Sequence, residues 1–376
     1  MIRRSAAAVA LAALVLLACS VRRAPDGLPR QAACTTAEAT PNLRAADIRW
    51  LFRVERAERS ALDAWCWAVG PAVWSDHRVA GASPAADSIA IVSWNAEVGH
   101  GRLDHLIADL RSGALTGAPV RDFVLLLQEV HRAGSAVPQT PPEWSAVPRA
   151  VGDLADPARF DIVELARRER LALFYAPSMR NGRTAAAALP EDRGNAILST
   201  LPLSDPVVLE LPYERQRRVA VLASVHVLDA ASHPVALQLA SVHLDNRARF
   251  GTLHRTLGDA RANQAAVLAR HLAEGGPAIV GGDLNTWVPI ADEAAVNVLR
   301  AELPLPEDPP DQGTLELPSV LPRLRLDHLF FRLPDGWDAG YDVAGSTYGS
   351  DHYPLVGWMR AGAAEAVTSL GGPGSK

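Results

Sequence analysis

Lysine is almost missing from this chain: every basic side chain except Lys376 is an arginine. Composition bias, which also accounts for the many alanines, prolines and glycines, explains this more simply than selection for phosphate-binding guanidinium groups. Positive charge is short overall, with 37 Lys and Arg against 42 Asp and Glu and a formal net charge of −5. Without a basic run, the global field does not steer the protein to nucleic acid, and only Arg167, Arg168 and Arg170 offer a local patch. Cysteine is scarce too, and Cys19, Cys34 and Cys66 show no zinc-site spacing, which argues against a structural zinc. The apolar stretch Ala6 to Ala18 falls short of the about 20 residues a membrane-crossing helix needs. No internal repeat is visible. A hydrophobic content of 48% with 21% charged residues excludes disorder as the default outside the two ends.

What is present begins with the pattern of an export signal. Arg3-Arg4, the apolar stretch and Cys19 supply its charged, hydrophobic and cleavage regions. Leu16-Leu17-Ala18-Cys19 resembles the bacterial lipobox, with Leu17 larger than usual. Residues 1–18 are therefore expected to be a lipoprotein-type signal and Cys19 the lipidated residue of an envelope lipoprotein, with ordinary secretion as the alternative. Lipid on Cys19 leaves two cysteines in an oxidising compartment, and a Cys34–Cys66 disulfide is expected. Residues 19–41 read as a tether. Residues 42–87 are expected to form a helical extension, because Leu43, Ile48, Leu51, Val54, Leu62 and Trp65 recur at helical spacing between Asn42 and Ala68. Trp65, Trp67 and Trp74 are expected in a core, and Gly81 to Pro84 marks a boundary.

From 88 to 360 the pattern alternates strands and helices, as one large α/β domain. Strands are expected near 89–94, 123–128, 171–175, 194–199, 219–226, 235–243, 278–282, 326–331 and 353–358. Helices are expected near Leu103–Leu110 and Arg247–Leu272, the second with its arginines on a solvated face. Ala133 to Ala150 is Pro-rich and reads as a long loop and substrate wall. Residues 361–376 read as a flexible tail.

Six polar islands sit at the ends of these apolar runs: Asn95, Gln128-Glu129, His243-Leu244-Asp245, Asp283-Leu284-Asn285, Asp327, and Ser350-Asp351-His352. At strand ends they would converge on one rim, where a hard divalent cation and phosphoryl chemistry find their ligands. Glu129 is the simplest metal ligand, and Asn95 either orients that carboxylate or binds metal or phosphate itself. Asp283 and Asn285, two apart on a tight turn, face one space. There Asp283 activates water and Asn285 donates to the developing charge. Asp327 fixes the tautomer of His352 and favours its protonated form. Asp351 binds a second metal or tunes the site, and His243 reaches the phosphate.

The order Trp94-Asn95, Gln128-Glu129, Arg193 to Ser199, Ser241 to His243, Gly282 to Asn285, Leu326-Asp327 and Ser350 to Pro354 resembles the endonuclease/exonuclease/phosphatase superfamily, the DNase-like metal-dependent phosphoesterases. The resemblance covers about Ser88 to Arg360. It implies an α/β (α+β) four-layer sandwich, two packed mixed β-sheets flanked by helices, with Mg²⁺ or Mn²⁺ and in-line attack of water on a phosphoester. By the resemblance Glu129 is the principal metal ligand, with Asn95 and Asp351 on the metal side. His243, Asp283, Asn285, Asp327 and His352 are then catalytic, and Arg193 is a weaker substrate contact. Thr200 departs from the pattern, standing where a basic residue is usual. The expected protein is a monomeric, exported Mg²⁺-dependent phosphoesterase acting on phosphodiesters or phosphomonoesters. The alternatives are a DNA or RNA nuclease and a cell-surface binding module without turnover.

Overall fold

Runs such as Ile89 to Trp94 and Phe123 to Leu127 place apolar side chains on both faces of a strand, so each strand must be covered on two sides. The computed structural model provides both covers. It describes residues 37–39, 48–52, 62–79, 85–145, 159–182, 189–213, 216–246, 253–273, 275–286, 293–307, 309–316 and 324–361.

One sheet holds eight strands: β1 (Ala37–Ala39), β3 (Ala72–Asp76), β4 (Ser88–Asn95), β5 (Phe123–Ala133), β6 (Ala172–Arg180), β7 (Glu191–Ser199), β13 (Asp338–Val343) and β14 (Leu355–Arg360). The other holds six: β2 (Arg49–Phe52), β8 (Ser204–Glu210), β9 (Val219–Leu228), β10 (Pro234–His243), β11 (Ala278–Asp283) and β12 (Asp327–Arg332). Their spatial orders are β1-β3-β6-β7-β5-β4-β14-β13 and β12-β11-β10-β9-β8-β2, and both sheets are mixed.

Alternate side chains sort the core into layers. Ile91, Val124, Leu126 and Ile197 meet Val221, Leu239, Ile279 and Phe331 between the sheets. The opposite face of the first sheet, with Val92, Leu125 and Leu127, packs on α1 (Leu103–Ser112) and α2 (Ile162–Glu169). The second sheet buries Leu222, Ala240 and Val280 under α3 (Leu253–Ala273) and α4 (Ala294–Glu302). The four-layer sandwich is thus the observed architecture.

Helix α1 buries Leu103, Leu106, Ile107 and Leu110, one stripe at helical spacing, and Gly113 ends it at φ 85. Helix α2 starts where the Asp161 carboxylate accepts from the Val163 and Glu164 N–H groups.

Three expectations are corrected. The helix expected from Asn42 to Ala68 is a single helical turn at 62–66 among the described residues, and Arg49–Phe52 is a strand instead. It pairs in parallel with β8, and Trp50 packs into the inter-sheet core under the Arg217 guanidinium. An available sheet edge outweighs local helical spacing. β3 pairs with β6 and also with β1, which lies inside the expected 19–41 tether, so the described strands before Pro84 belong to both sheets. Second, β8 and β13 were not expected. In β8, Pro206 falls at a register shift between Ser204 and Val207, where no ladder N–H is required. Third, Arg261 on α3 is not solvated: it is 2% exposed and bonded to Glu293.

Trp65 and Trp74 are buried, as expected. The described part of the Pro-rich loop is fastened rather than free, with Trp144 edge-on to Trp67 and Arg180 donating to the Pro138 and Gln139 carbonyls. Cys66 is disulfide-bonded, while Cys34, Cys19, the signal and residues 362–376 lie outside the described residues.

Arg217 and Glu210 form an ion pair with both side chains fully buried. Arg217→Ala should therefore cost about 3–5 kcal/mol in urea unfolding, because it leaves a buried carboxylate without its counter-charge.

Candidate functional site

Register decides which strand-end residues meet. Parallel pairing sets His243 beside Asp283, and antiparallel pairing sets Asp283 beside Asp327, so these three form one row across the second sheet. In the first sheet Asn95 pairs with Gln128. Glu129 follows at a register shift between Leu127 and Val130, with φ 51. An extra residue in one strand re-aims the side chain that follows, which turns Glu129 toward the sheet rim.

Side chains tie the two rows together. Asn95 Nδ2 donates to Asp283 Oδ2 at 2.9 Å, and Gln128 Nε2 donates to Ser241 Oγ at 2.9 Å. Asn95 therefore orients Asp283, not the Glu129 carboxylate. Asp283 Oδ1 accepts from the Asn285 N–H at 2.8 Å, the turn that carries Asn285 at φ 53. Asn285 Nδ2 donates to the Leu244 carbonyl at 3.0 Å, so one of its two amide hydrogens fastens strand ends and the other stays available.

The His352 loop is pinned at three points. Trp94 Nε1 donates to the His352 carbonyl, Ser350 Oγ donates to the Asn95 carbonyl, and the His352 N–H donates to Ser350 Oγ. This sets His352 Nδ1 at 2.7 Å from Asp327 Oδ2. Its Nε2 then lies 3.9 Å from Asp283 Oδ2 and 3.8 Å from Asp351 Oδ1.

Charge states follow from these contacts. Burial works against a charged His352, but the Asp327 carboxylate outweighs it, helped by Asp283 and Asp351, and the pKa is pushed up to about 10. His243 goes the other way: burial first, then Arg218, His352 and Arg193, hold it well below the ordinary range. It is neutral, with Nε2 at 3.3 Å from Asp283 Oδ2. Burial and the Asp327 charge raise Asp283, which gives its carboxylate the proton affinity a base requires. Burial also raises Asp351.

Asp283, Asp327 and His352 are close enough to surround an ion. His352, however, is protonated and already bonded to Asp327, so it offers no lone pair. The oxygen donors on the other flank fit a hard cation better: Glu129 and Asp351 feel each other's charge there. Sequence reasoning missed Glu97 on this flank. Burial, Asp351 and Glu129 push its pKa up to about 7. Its φ of 46, followed by Val98 at 55, is a left-handed run that non-glycine residues rarely adopt. The available signal was an acid two residues beyond Asn95, just before Gly99.

All eight expected catalytic and metal residues thus collect at one end of the sandwich. Arg193 lies at its margin, donating to Asn181 Oδ1 and Met179 Sδ at 3.3 and 3.1 Å. Thr200 caps a strand end instead, accepting from the Phe123 N–H. Cys19 is outside the described residues.

Residues 92–352 match the sequence model of the Endonuclease/Exonuclease/phosphatase family. The chain belongs to that family. Members of this family are hydrolases of phosphoester bonds. No curated protein matches the chain. Among solved structures, the endonuclease/exonuclease/phosphatase from Beutenbergia cavernae DSM 12333 is similar at 20% identity and TM-score 0.47, over 73% of this chain and 72% of that one. The human Nocturnin catalytic domain with bound sulfate is similar at 16% identity and TM-score 0.43, over 77% and 97%. A mannosyl-6-phosphatase from Bacteroides thetaiotaomicron VPI-5482 is similar at 13% identity and TM-score 0.42, over 72% and 99%.

The His352 assignment has a direct readout. Its folded-state pKa of about 10 against an ordinary 6.5 means the imidazolium stabilises the fold fully below pH 6.5. That contribution is lost as the pH climbs through about 10. Asp327→Asn should move the His352 titration, followed by imidazole NMR, down toward the ordinary range. An unchanged titration would reject the pairing.

Proposed function

We propose that this family member is an exported, Mg²⁺-dependent phosphoesterase that hydrolyses phosphodiesters or phosphomonoesters by in-line attack of water. The observation that carries the reading is the placement of a base on the strand-end row beside an acid on the loop pinned to it. Asp283, raised and held by Asn95, stands next to the protonated His352–Asp327 pair.

In this reading Asp283 takes the proton of the attacking water as its oxygen bonds to phosphorus. The His352 imidazolium protonates the leaving oxygen as its bond to phosphorus breaks, or stabilises charge on the phosphoryl group. Neutral His243 and the open Asn285 amide hydrogen orient the phosphate. Glu129, with Asp351, would hold the cation, while Asn95 holds Asp283 in place. When bound, Mg²⁺ (or Mn²⁺) supplies Lewis-acid polarisation of the phosphoryl oxygens.

Glu129→Ala, Asp283→Ala and His352→Ala should each lower kcat roughly a hundred- to ten-thousand-fold while far-UV circular dichroism stays native. EDTA should abolish turnover and Mg²⁺ restore it. The assay runs an aryl phosphodiester and monoester beside plasmid DNA, RNA and sphingomyelin. Wild-type turnover in His352→Ala, or activity that survives exhaustive chelation, would reject this mechanism. Turnover of nucleic acid alone would favour the nuclease alternative, and none anywhere the binding module.

We also infer that the protein works as a monomer at the cell envelope, tethered by lipid on Cys19. The signal-like N-terminus and a disulfide at Cys66 support an oxidising compartment. A palmitate analogue fed to expressing bacteria should label the wild type but not Cys19→Ser; equal labelling of the two would reject the anchor.

A further inference from the structure

Among the described residues, four buried arginines bring their counter-charges with them. Arg132 is bonded to Asp192, Arg159 to Glu191, Arg217 to Glu210 and Arg261 to Glu293. Arg180 and Arg325 bond neutral groups instead: Arg180 donates to backbone carbonyls, and Arg325 to the Pro310 carbonyl and the Tyr341 hydroxyl. Each of these guanidinium groups bonds a carboxylate or a backbone carbonyl of the fold.

Arg218, one residue before β9, is different. It is 3% exposed, yet among the described residues no carboxylate comes within ion-pair distance of it. Its hydrogen-bond partner is a neutral amide: with the Gln216 oxygen turned toward the guanidinium, it accepts from Nε at 3.1 Å and from Nη2. A guanidinium has five N–H donors, so this leaves several open. Burial works against its charge, and the groups that support it electrostatically are Asp245, Glu129 and Asp283, two of them site carboxylates. The Arg218 charge also helps to keep His243 neutral.

A buried cation without a paired anion is costly, and a fold tolerates one where an anion arrives from outside. The site needs such a group. Glu129, Asp283 and Asp351 present negative charge to any phosphate, and the chain's acidic balance offers no general field to offset them. A planar fork of donors also matches the oxygens of a phosphate better than a point charge does.

We propose that Arg218 is a phosphate-binding residue of this site, giving the donors that Gln216 leaves open to a charged, nonbridging oxygen of the phosphoryl group. The identity of the anion rests on the phosphoesterase reading; the need for an anion rests on Arg218 itself. Its signal in the sequence was an arginine pair placed directly before the apolar run Val219 to Val227.

The probe is inorganic phosphate, bound to the full chain in the presence of Mg²⁺ and followed by calorimetry and thermal shift. Phosphate should raise the melting temperature of the wild type, since it binds the folded state alone. Arg218→Gln should bind phosphate at least about tenfold more weakly, the loss expected for a charged hydrogen bond, and lose the thermal shift. Its KM for an aryl phosphoester should rise more than its kcat falls. Arg218→Lys keeps the charge without the fork and should fall between the two, which carries the test if the Gln variant does not fold. A folded Arg218→Gln or Arg218→Lys variant with wild-type phosphate affinity would overturn the proposal, leaving Arg218 a counter-charge to its carboxylates. So would a wild type that hydrolyses phosphoesters yet shows no phosphate binding. Phosphate binding that depends on Arg218, in a protein that hydrolyses no phosphoester, would support the proposal and reject the phosphoesterase reading.

Discussion

The 2.7 Å bond between Asp327 Oδ2 and His352 Nδ1 sets the charge pattern of the whole strand-end cluster. Both groups are buried, and the Asp327 carboxylate keeps the imidazole charged against its burial. Together they keep a positive imidazolium within 3.9 Å of Asp283. The consequences spread outward. Asp283 carries a raised proton affinity beside an acid already loaded with its proton. His243, the second imidazole, faces that same positive charge and stays neutral. Two histidines of equal intrinsic pKa thus hold opposite protonation states a few ångströms apart, set by their neighbours.

Such a cluster survives only if the backbone delivers its members to within fractions of an ångström, and the two sheets do so by packing very closely beneath it. Gly281 faces Ser93 and Leu126 of the opposite sheet, where a Cβ would come within 2.8 Å of both. Gly282 lies against the Val242 carbonyl, at 2.0 Å from where its Cβ would stand. The Gly-Gly pair before Asp283 therefore serves the approach of sheet to sheet and strand to strand, and the Asn95–Asp283 bond closes the remaining gap. Precision at the rim is a product of the inter-sheet core.

The strands bearing the six islands were legible because each is an apolar run ended by a polar group, a pattern that burial on two faces imposes. The N-terminal segment was not legible. Its apolar residues repeat at helical spacing, yet Arg49–Phe52 completes the β8 edge, and the energy that decides this comes from a partner about 160 residues away. Arg261 was misread for a related reason: Glu293, which buries it, is distant in sequence and ends no apolar run. Glu97 escaped notice because it lies two residues past its strand, and Arg218 because an arginine pair before Val219 reads as composition bias. Only the fold brings them to the carboxylates they face.

Sequence alone determined the reaction class to be sought and the residues that would carry it, because strand-end position and residue chemistry are local properties. It also held the family resemblance that the match over residues 92–352 bears out. The tertiary structure decided who contacts whom. It gave Asn95 to Asp283 and not to Glu129, left His243 neutral, and made an arginine that composition explained away into a buried cation without a paired carboxylate. Those outcomes depend on register, burial and through-space charge, which arise only when distant strands share one rim.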